Sequence, residues 1–303
     1  MRYAVDRTRN EEALVKIGIV GASGRLGRLV VTRLLELVPA EDVIAITRTP
    51  EKLSDFADLG VTVRQGDYDD TDSLEPAFKG VERLLIIPSR ALVAERHEQY
   101  DNAIRSARYA KVKHLLTYTL EGTTPGNPFA LNPANVYAEM ALFQSRLPWT
   151  IIRTGPYADE LVDWLPSIIE LGSIPYPTAS GKAPYVSRDD IARATAKLLL
   201  SDKIAGTIPE FVGPEMLSTE DLCKIAAEVT GEDIIYVPAE PADYVQIRME
   251  EGMSEQDAVV LATMYIAIAE HRMEKAHLGG IEKLTGQAPK SMRELLAEKI
   301  ASE

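Results

Sequence analysis

The sequence predicts an α/β protein built on a doubly wound parallel sheet, with a smaller, mostly helical lobe after about residue 158. Three observations carry that expectation. From Lys16 to about residue 160, short apolar strand-like runs alternate with segments of helical period. The first run, Lys16-Ile17-Gly18-Ile19-Val20, leads through Gly21-Ala22-Ser23-Gly24-Arg25-Leu26-Gly27 straight into an apolar-periodic helix. The chain has 303 residues, 46% of them hydrophobic, which suffices for one large or two moderate cores.

The glycines stand G-x-x-G-x-x-G between a strand and a helix, the arrangement a Rossmann-type dinucleotide site requires. Gly21 permits the tight turn off the strand, Gly24 lets backbone approach a pyrophosphate, and Gly27 lets the helix pack against the sheet. The free N–H groups of the helix N-terminus then face the phosphates. A helix over 28–38 and a second strand over 43–47 complete a β-α-β unit. Beyond that strand, where an NAD site usually carries Asp or Glu, stand Arg48 and, a helical turn on, Lys52. Two cations there suit a ribose 2′-phosphate and point to NADP(H), with NAD(H) the alternative.

Further strands are expected at 61–65, 83–87, 114–119 and 149–153, and helices at about 72–78, capped by Thr71 or Asp72, and 97–111. A loop rich in Gly, Pro and Asn spans 121–135 before a helix to Ser145. Ligands in open α/β sheets sit beyond the carboxyl ends of the strands, so Pro88-Ser89, Thr119 to Glu121 and Thr154 to Tyr157 converge on one cleft. The long loop has the length of a lid.

Composition excludes several classes. A formal charge of −13 and the absence of clustered cations argue against a nucleic-acid partner. No apolar run reaches the length of a membrane span, and no signal core follows the first residues, so a cytoplasmic protein is expected. Cys223 is the single cysteine and reads as core. The four histidines, His97, His114, His271 and His277, form no recognisable zinc motif, and no G-x-S-x-G elbow is present.

Six segments occur in one order: the glycine loop, Ile-Thr-Arg-Thr-Pro (46 to 50), Val-Arg-Gln-Gly-Asp-Tyr (63 to 68), Gly-Val-Glu-Arg-Leu-Leu (80 to 85), Val-Lys-His-Leu-Leu-Thr-Tyr-Thr (112 to 119) and Ile-Ile-Arg-Thr-Gly-Pro-Tyr (151 to 157). Together they resemble the NmrA-like atypical short-chain dehydrogenases, most of all bacterial type 2 NADPH:quinone oxidoreductases and triphenylmethane reductases. The resemblance runs from about Lys16 and is loosest after Pro238. It implies that Gly21, Ser23, Gly24, Arg25, Leu26 and Gly27 form the pyrophosphate turn and that Arg48 and Lys52 hold the 2′-phosphate. Asp67 and Tyr68 would flank the adenine. Ile87, Pro88, Ser89 and Arg90 would run beside the nicotinamide ribose, with Tyr118 and Thr119 lining the nicotinamide. It also implies hydride transfer to a planar electrophile such as a quinone, an azo or triphenylmethane dye, or an activated enone, by a monomer or homodimer. A noncatalytic NADP(H) sensor is the alternative within the same family.

Ordinary short-chain dehydrogenases pair a tyrosine with a lysine four residues later, whereas here Tyr137 is followed by Ala141. Without the ammonium Tyr137 is a poor general acid, so it reads as helix surface or pocket lining first and as a catalytic acid second. A strong electrophile tolerates this, because orientation beside the nicotinamide supplies most of the catalysis. Asn135 stands where the family often has histidine. Glu139 matches a recurrent family glutamate and reads either as cleft support or as a solvent-facing carboxylate, and Met140 replaces a lysine. Tyr157 is the leading acceptor-pocket candidate, since its ring can stack and its tip can hydrogen-bond. Phe129 and Trp164 would add apolar wall.

Past residue 159, helices are expected to 171, from about Ser187 and Asp189, from Ser218 to Gly231, and over 257–275. In the last, Val259, Val260, Leu261, Met264, Ile266, Ile268 and Met273 would face the core. The chain thus divides into an N-terminal extension (1–14), an NAD(P)-binding domain (15–158) and a substrate lobe (159–303) with segments returning to the first domain.

Overall fold

A computed structural model describes residues 15–302; the N-terminal extension lies outside them. The first half alternates strictly: β1 (Ile17–Val20), α1 (Arg25–Leu35), β2 (Val43–Thr47), α2 (Ser54–Asp58), β3 (Thr62–Gln65), α3 (Thr71–Phe78), β4 (Arg83–Ile86), α4 (Val93–Tyr109), β5 (His114–Leu120), α5 (Asn132–Gln144), β6 (Trp149–Thr154) and α6 (Ala158–Leu171). Then follow β7 (Ser173–Ile174), β8 (Lys182–Ala183), α7 (Arg188–Leu200), β9 (Glu210–Phe211), β10 (Leu217–Ser218), α8 (Thr219–Thr230), β11 (Ile235–Tyr236), α9 (Pro241–Glu250), α10 (Glu255–Ala269), α11 (Gly280–Thr285) and α12 (Met292–Ala301).

Seven strands form one parallel sheet in the order β3-β2-β1-β4-β5-β6-β9. The order reverses between β1 and β4, which opens a crevice at their carboxyl ends. The seventh strand, β9, is two residues long and carries no sequence pattern. On one face Ile17, Ile19 and Val43 pack under Val30 and Leu34 of α1 and Ile191 and Leu198 of α7. Leu74, Phe78, Tyr100 and Leu142 from α3, α4 and α5 cover Val20, Ile46, Leu84 and Leu115 on the other. A third core joins Leu161, Leu165, Leu222, Tyr244, Tyr265 and Leu296 from the later helices with Tyr176 from the loop after β7. Cys223 belongs to it, and burial pushes its thiol up to about 11.

Several boundaries differ from the sequence reading, each for a local reason. Asp70, not Thr71 or Asp72, caps α3, its carboxylate accepting the Asp72 N–H at 3.1 Å. Helix α5 starts at Asn132, because Pro133 in its first turn needs no N–H partner. Helix α4 starts at Val93, four residues before His97. Helix α10 stops at Ala269, beyond which His271 turns left-handed at φ 57°, so Met273 reaches the core from a loop. Val259 is exposed, while Met264 and Ile268 are buried as expected. Ser187 and Ser218 cap α7 and α8, the latter in a reciprocal box with Asp221.

Candidate active site

The turn from β1 into α1 is held by backbone. Gly21 lies at φ 82°, and the N–H groups of Gly21 and Ala22 donate to the Ile46 carbonyl at 3.0 and 3.1 Å, so the turn is bolted to β2. A Cβ on Gly27 would stand 2.3 Å from the Gly21 carbonyl oxygen, and one on Gly24 would stand 3.3 Å from it. Only glycine lets α1 approach this closely. Ser23 and Thr47 share a hydroxyl hydrogen bond of 2.8 Å across the turn. Gly24 is the N-cap, and no side chain caps α1, so its first N–H groups remain free for an anion. Leu26 points into the core. Arg25 reaches outward, donating to Asp163 of α6 at 2.7 Å, both groups exposed.

At the end of β2, Arg48 and Lys52 are exposed, and neither side chain has a protein partner among the described residues. Sequence reasoning missed a third cation here. The Arg28 guanidinium lies 4.7 Å over the Phe56 ring, donates to the Lys52 carbonyl at 2.9 Å and pairs with Asp55. Its signal was its place directly after Gly27, on the first turns of α1. This cradle and cation set fit a dinucleotide carrying a 2′-phosphate.

The adenine candidates are occupied by the protein itself. Asp67 builds an Asx turn, its carboxylate accepting the Asp69 N–H at 3.1 Å, while its own N–H donates to Ser73. Tyr68 is buried, and its hydroxyl donates to the Ile87 carbonyl at 2.9 Å, which pins the end of β4 from beneath. Beyond β4, the Ser89 hydroxyl donates to Gln99 at 2.6 Å and accepts the Ala91 N–H, while Ile87 and Pro88 are half-buried. Arg90 points out and pairs with Asp257 of α10.

One further expectation needs correction, that on Tyr118. Tyr118 faces α7 rather than a nicotinamide: it is buried, with its hydroxyl donating to Thr195 at 2.7 Å. The side chain alternation of a strand sends its neighbour Thr119 to the other face. Tyr137 stacks on His97 with ring centroids 4.0 Å apart and donates to Asp101 at 2.7 Å, in an open groove of about 900 Å³ that follows α4 to Tyr109. Desolvation and Asp101 push its hydroxyl up to about 12. A proton so held is of little use as an acid near neutral pH.

Glu139 is buried, not solvent-facing. It accepts from Thr119 at 3.0 Å and from Arg153 Nε and Nη2 at 3.0 and 2.9 Å, which locks α5 to β5 and β6. Asn127, Asn132 and Phe129 bond within the long loop, and the Ala130 N–H donates to Thr263 of α10, so that loop is braced at both ends. Phe129 and Trp164 lie against the third core, with the Arg248 guanidinium 4.0 Å over the indole.

Tyr157, just past β6, keeps a distinct position. The Arg188 guanidinium sits 4.1 Å over its ring, and Asp159 and Glu160 hold that guanidinium from behind. Burial raises the phenol above its usual range, so it stays protonated, and the hydroxyl has no protein hydrogen bond among the described residues. The strand edges therefore carry a glycine-built backbone turn at one end and, at the other, a protonated phenol with no hydrogen-bond partner among the described residues. No helix among the described residues is long and apolar enough to cross a membrane, and no group of acidic, histidine or cysteine side chains is arranged to hold a metal.

A Rossmann-type sheet with a glycine cradle and an open edge beyond β4 to β6 defines a dinucleotide-dependent oxidoreductase. The chain belongs to the NAD(P)H-binding family, whose profile matches residues 21–202. It is 33% identical to quinone oxidoreductase 2 of Escherichia coli (strain K12) over 81% of this chain and 85% of that protein. The crystal structure of the NADPH-dependent quinone oxidoreductase QOR2 of Escherichia coli complexed with NADPH aligns with a TM-score of 0.88 at 28% identity, covering 94% of this chain and 99% of that one. The Citrobacter sp. triphenylmethane reductase complexed with NADP(H) aligns with a TM-score of 0.87 at 30% identity, with the same coverage.

Proposed function

We propose that this protein is an NADPH-preferring reductase that delivers hydride to a planar electrophilic acceptor, with quinones, azo or triphenylmethane dyes and activated enones as the candidate classes. The observation that carries the cofactor preference is the pair of cations, Arg48 and Lys52, without partners among the described residues and beyond β2, where a 2′-phosphate would sit. Gly21, Ser23, Gly24 and Gly27 with the α1 N-terminus would hold the pyrophosphate, and Pro88 and Ser89 would border the nicotinamide ribose. The bound dihydronicotinamide supplies the hydride. Tyr157 would orient the acceptor by stacking and by donating its hydroxyl, and the Glu139–Arg153 pair would keep the strand ends beneath it in place. We assign residues from 15 to about 158 to the cofactor domain and the rest to an acceptor lobe, with 186–211 returning to the sheet, and place the protein in the cytoplasm.

Anaerobic absorbance assays at 340 nm with NADPH and NADH, against a panel of quinones, dyes and enones, test this reading. Acceptor-dependent oxidation with NADPH favoured is expected. Tight NADPH binding with no oxidation of any acceptor would replace it with a cofactor-sensing role.

A further inference from the structure

Arginines in this protein are answered by carboxylates almost wherever they are sheltered. Arg33 meets Asp189, Arg153 meets Glu139, Arg188 meets Asp159 and Glu160, Arg193 meets Asp190, and Arg248 meets Glu251. Two break that pattern: Arg64 donates to the Ala77 and Lys79 carbonyls at 2.9 and 2.6 Å instead, and Arg96 is the other. It lies in the first turns of α4, directly after the carboxyl end of β4, and lines a small cavity with Ile86, Pro88, Ser89, Gln99 and Tyr100. Its Nε donates to the Ala91 carbonyl at 2.9 Å, which fixes the direction of the guanidinium fork. The terminal nitrogens have no protein partner among the described residues. Its electrostatic neighbours are two phenols, Tyr100 and Tyr157, and burial lowers its proton affinity with no acid to offset the cost.

The placement matters as much as the missing partner. Tyr100 belongs to the layer behind β4 and β5, where its hydroxyl shares a 3.0 Å hydrogen bond with that of Thr117, whereas Tyr157 follows β6. Arg96 shares its cavity with Pro88 and Ser89, so its guanidinium stands beyond the carboxyl end of β4, beside the crevice. A sheltered, pre-aimed cation without a counter-ion is suited to a ligand oxygen that carries or develops negative charge.

We infer that Arg96 binds the carbonyl oxygen of the acceptor and carries the negative charge that reduction puts there. This rests on the reductase reading above and narrows it: the acceptor is a conjugated carbonyl compound, neutral or anionic, and cationic dyes are disfavoured by the same charge. Hydride addition forms a C–H bond on the acceptor and drives the π pair onto the carbonyl oxygen. The hydride and its electron pair come from the reduced nicotinamide, whose C–H bond breaks and which is oxidised. The anionic oxygen rests against Arg96 until a proton from solvent completes the reduction.

The test compares wild type, Arg96→Gln and Arg96→Lys in two experiments. In anaerobic steady-state assays with NADPH and 1,4-naphthoquinone, Arg96→Gln should lower kcat about a hundredfold, the cost of removing one oxyanion donor. KM and the Kd for NADPH should stay within about threefold, and Arg96→Lys should recover part of the loss, since it keeps the charge and not the fork. In calorimetric titrations of the NADP⁺-loaded protein with 1,4-naphthoquinone-2-sulfonate, Arg96→Gln should weaken binding about tenfold or more, as expected for loss of a charge-assisted hydrogen bond. An unchanged kcat together with an unchanged sulfonate affinity overturns the inference. So does an equal loss of NADPH affinity, which would make Arg96 a cofactor clamp. If wild type turns over no acceptor, the reductase reading fails by itself, and the sulfonate titration still decides whether Arg96 is an anion site.

Discussion

The two ends of the crevice are built on opposite plans. At the β1–β2 end the fold is set by backbone: a glycine, Gly27, whose Cβ would collide with the Gly21 carbonyl, N–H groups bonded to Ile46, and two rim cations with no side-chain partner among the described residues. At the β5–β6 end it is set by side chains that satisfy one another, with Thr119, Glu139 and Arg153 in one network and Tyr157, Arg188, Asp159 and Glu160 in another. A pyrophosphate is the same in every dinucleotide, so a rigid backbone cradle serves it. An acceptor varies, and a side-chain scaffold can be altered residue by residue without moving the sheet.

That contrast can be broken first at its acceptor end. Glu139→Ala leaves the half-sheltered Arg153 guanidinium without its carboxylate and Thr119 without its acceptor, and should cost about 3 to 5 kcal/mol in urea unfolding. NADPH affinity of the folded fraction should hardly change, because none of these groups touches the glycine turn. An equal loss of affinity would show that the ends are not independent.

Gly27→Ala is the counterpart at the cofactor end. Its Cβ would press on the Gly21 carbonyl and the Ala22 backbone, which cannot swing aside as a side chain can. We expect a cost of about 2 to 3 kcal/mol from overpacking, and NADPH titration should show binding lost beyond that, because the turn must shift. Retained affinity would mean that the cradle is looser than the geometry requires. The smallest effect belongs to Tyr137→Phe, where kcat on a quinone should stay within about twofold, since the hydroxyl is engaged by Asp101 and held near 12. A drop of ten times or more would return Tyr137 to the catalytic machinery.

The same contrast explains what could be read from the sequence. Glycine spacing, strand runs and the cations after β2 are local signals, so the parallel sheet and the tight turn were legible, and Arg48 with Lys52 could be singled out. Arg28 was overlooked because its role depends on Phe56 and Asp55, which approach it only in the folded chain. Tyr118 was misread because a strand residue can face either layer, and only α7, more than seventy residues on, decides which. Glu139 could not be assigned to cleft or solvent until Arg153 was seen across from it. Arg96 left no trace in any motif, because its distinguishing property, a guanidinium with no carboxylate partner among the described residues, shows only in the folded chain.

The claim that loose cations at the β2 end choose the cofactor is tested most directly by fluorescence titration of wild type and Arg48→Glu with NADPH and with NADH. Wild type should bind NADPH at least about tenfold more tightly, and Arg48→Glu should erase or reverse that ratio while leaving NADH affinity within about threefold, as the loss of a charge-assisted phosphate contact requires. Equal weakening of both cofactors, or no preference in wild type, would contradict the account.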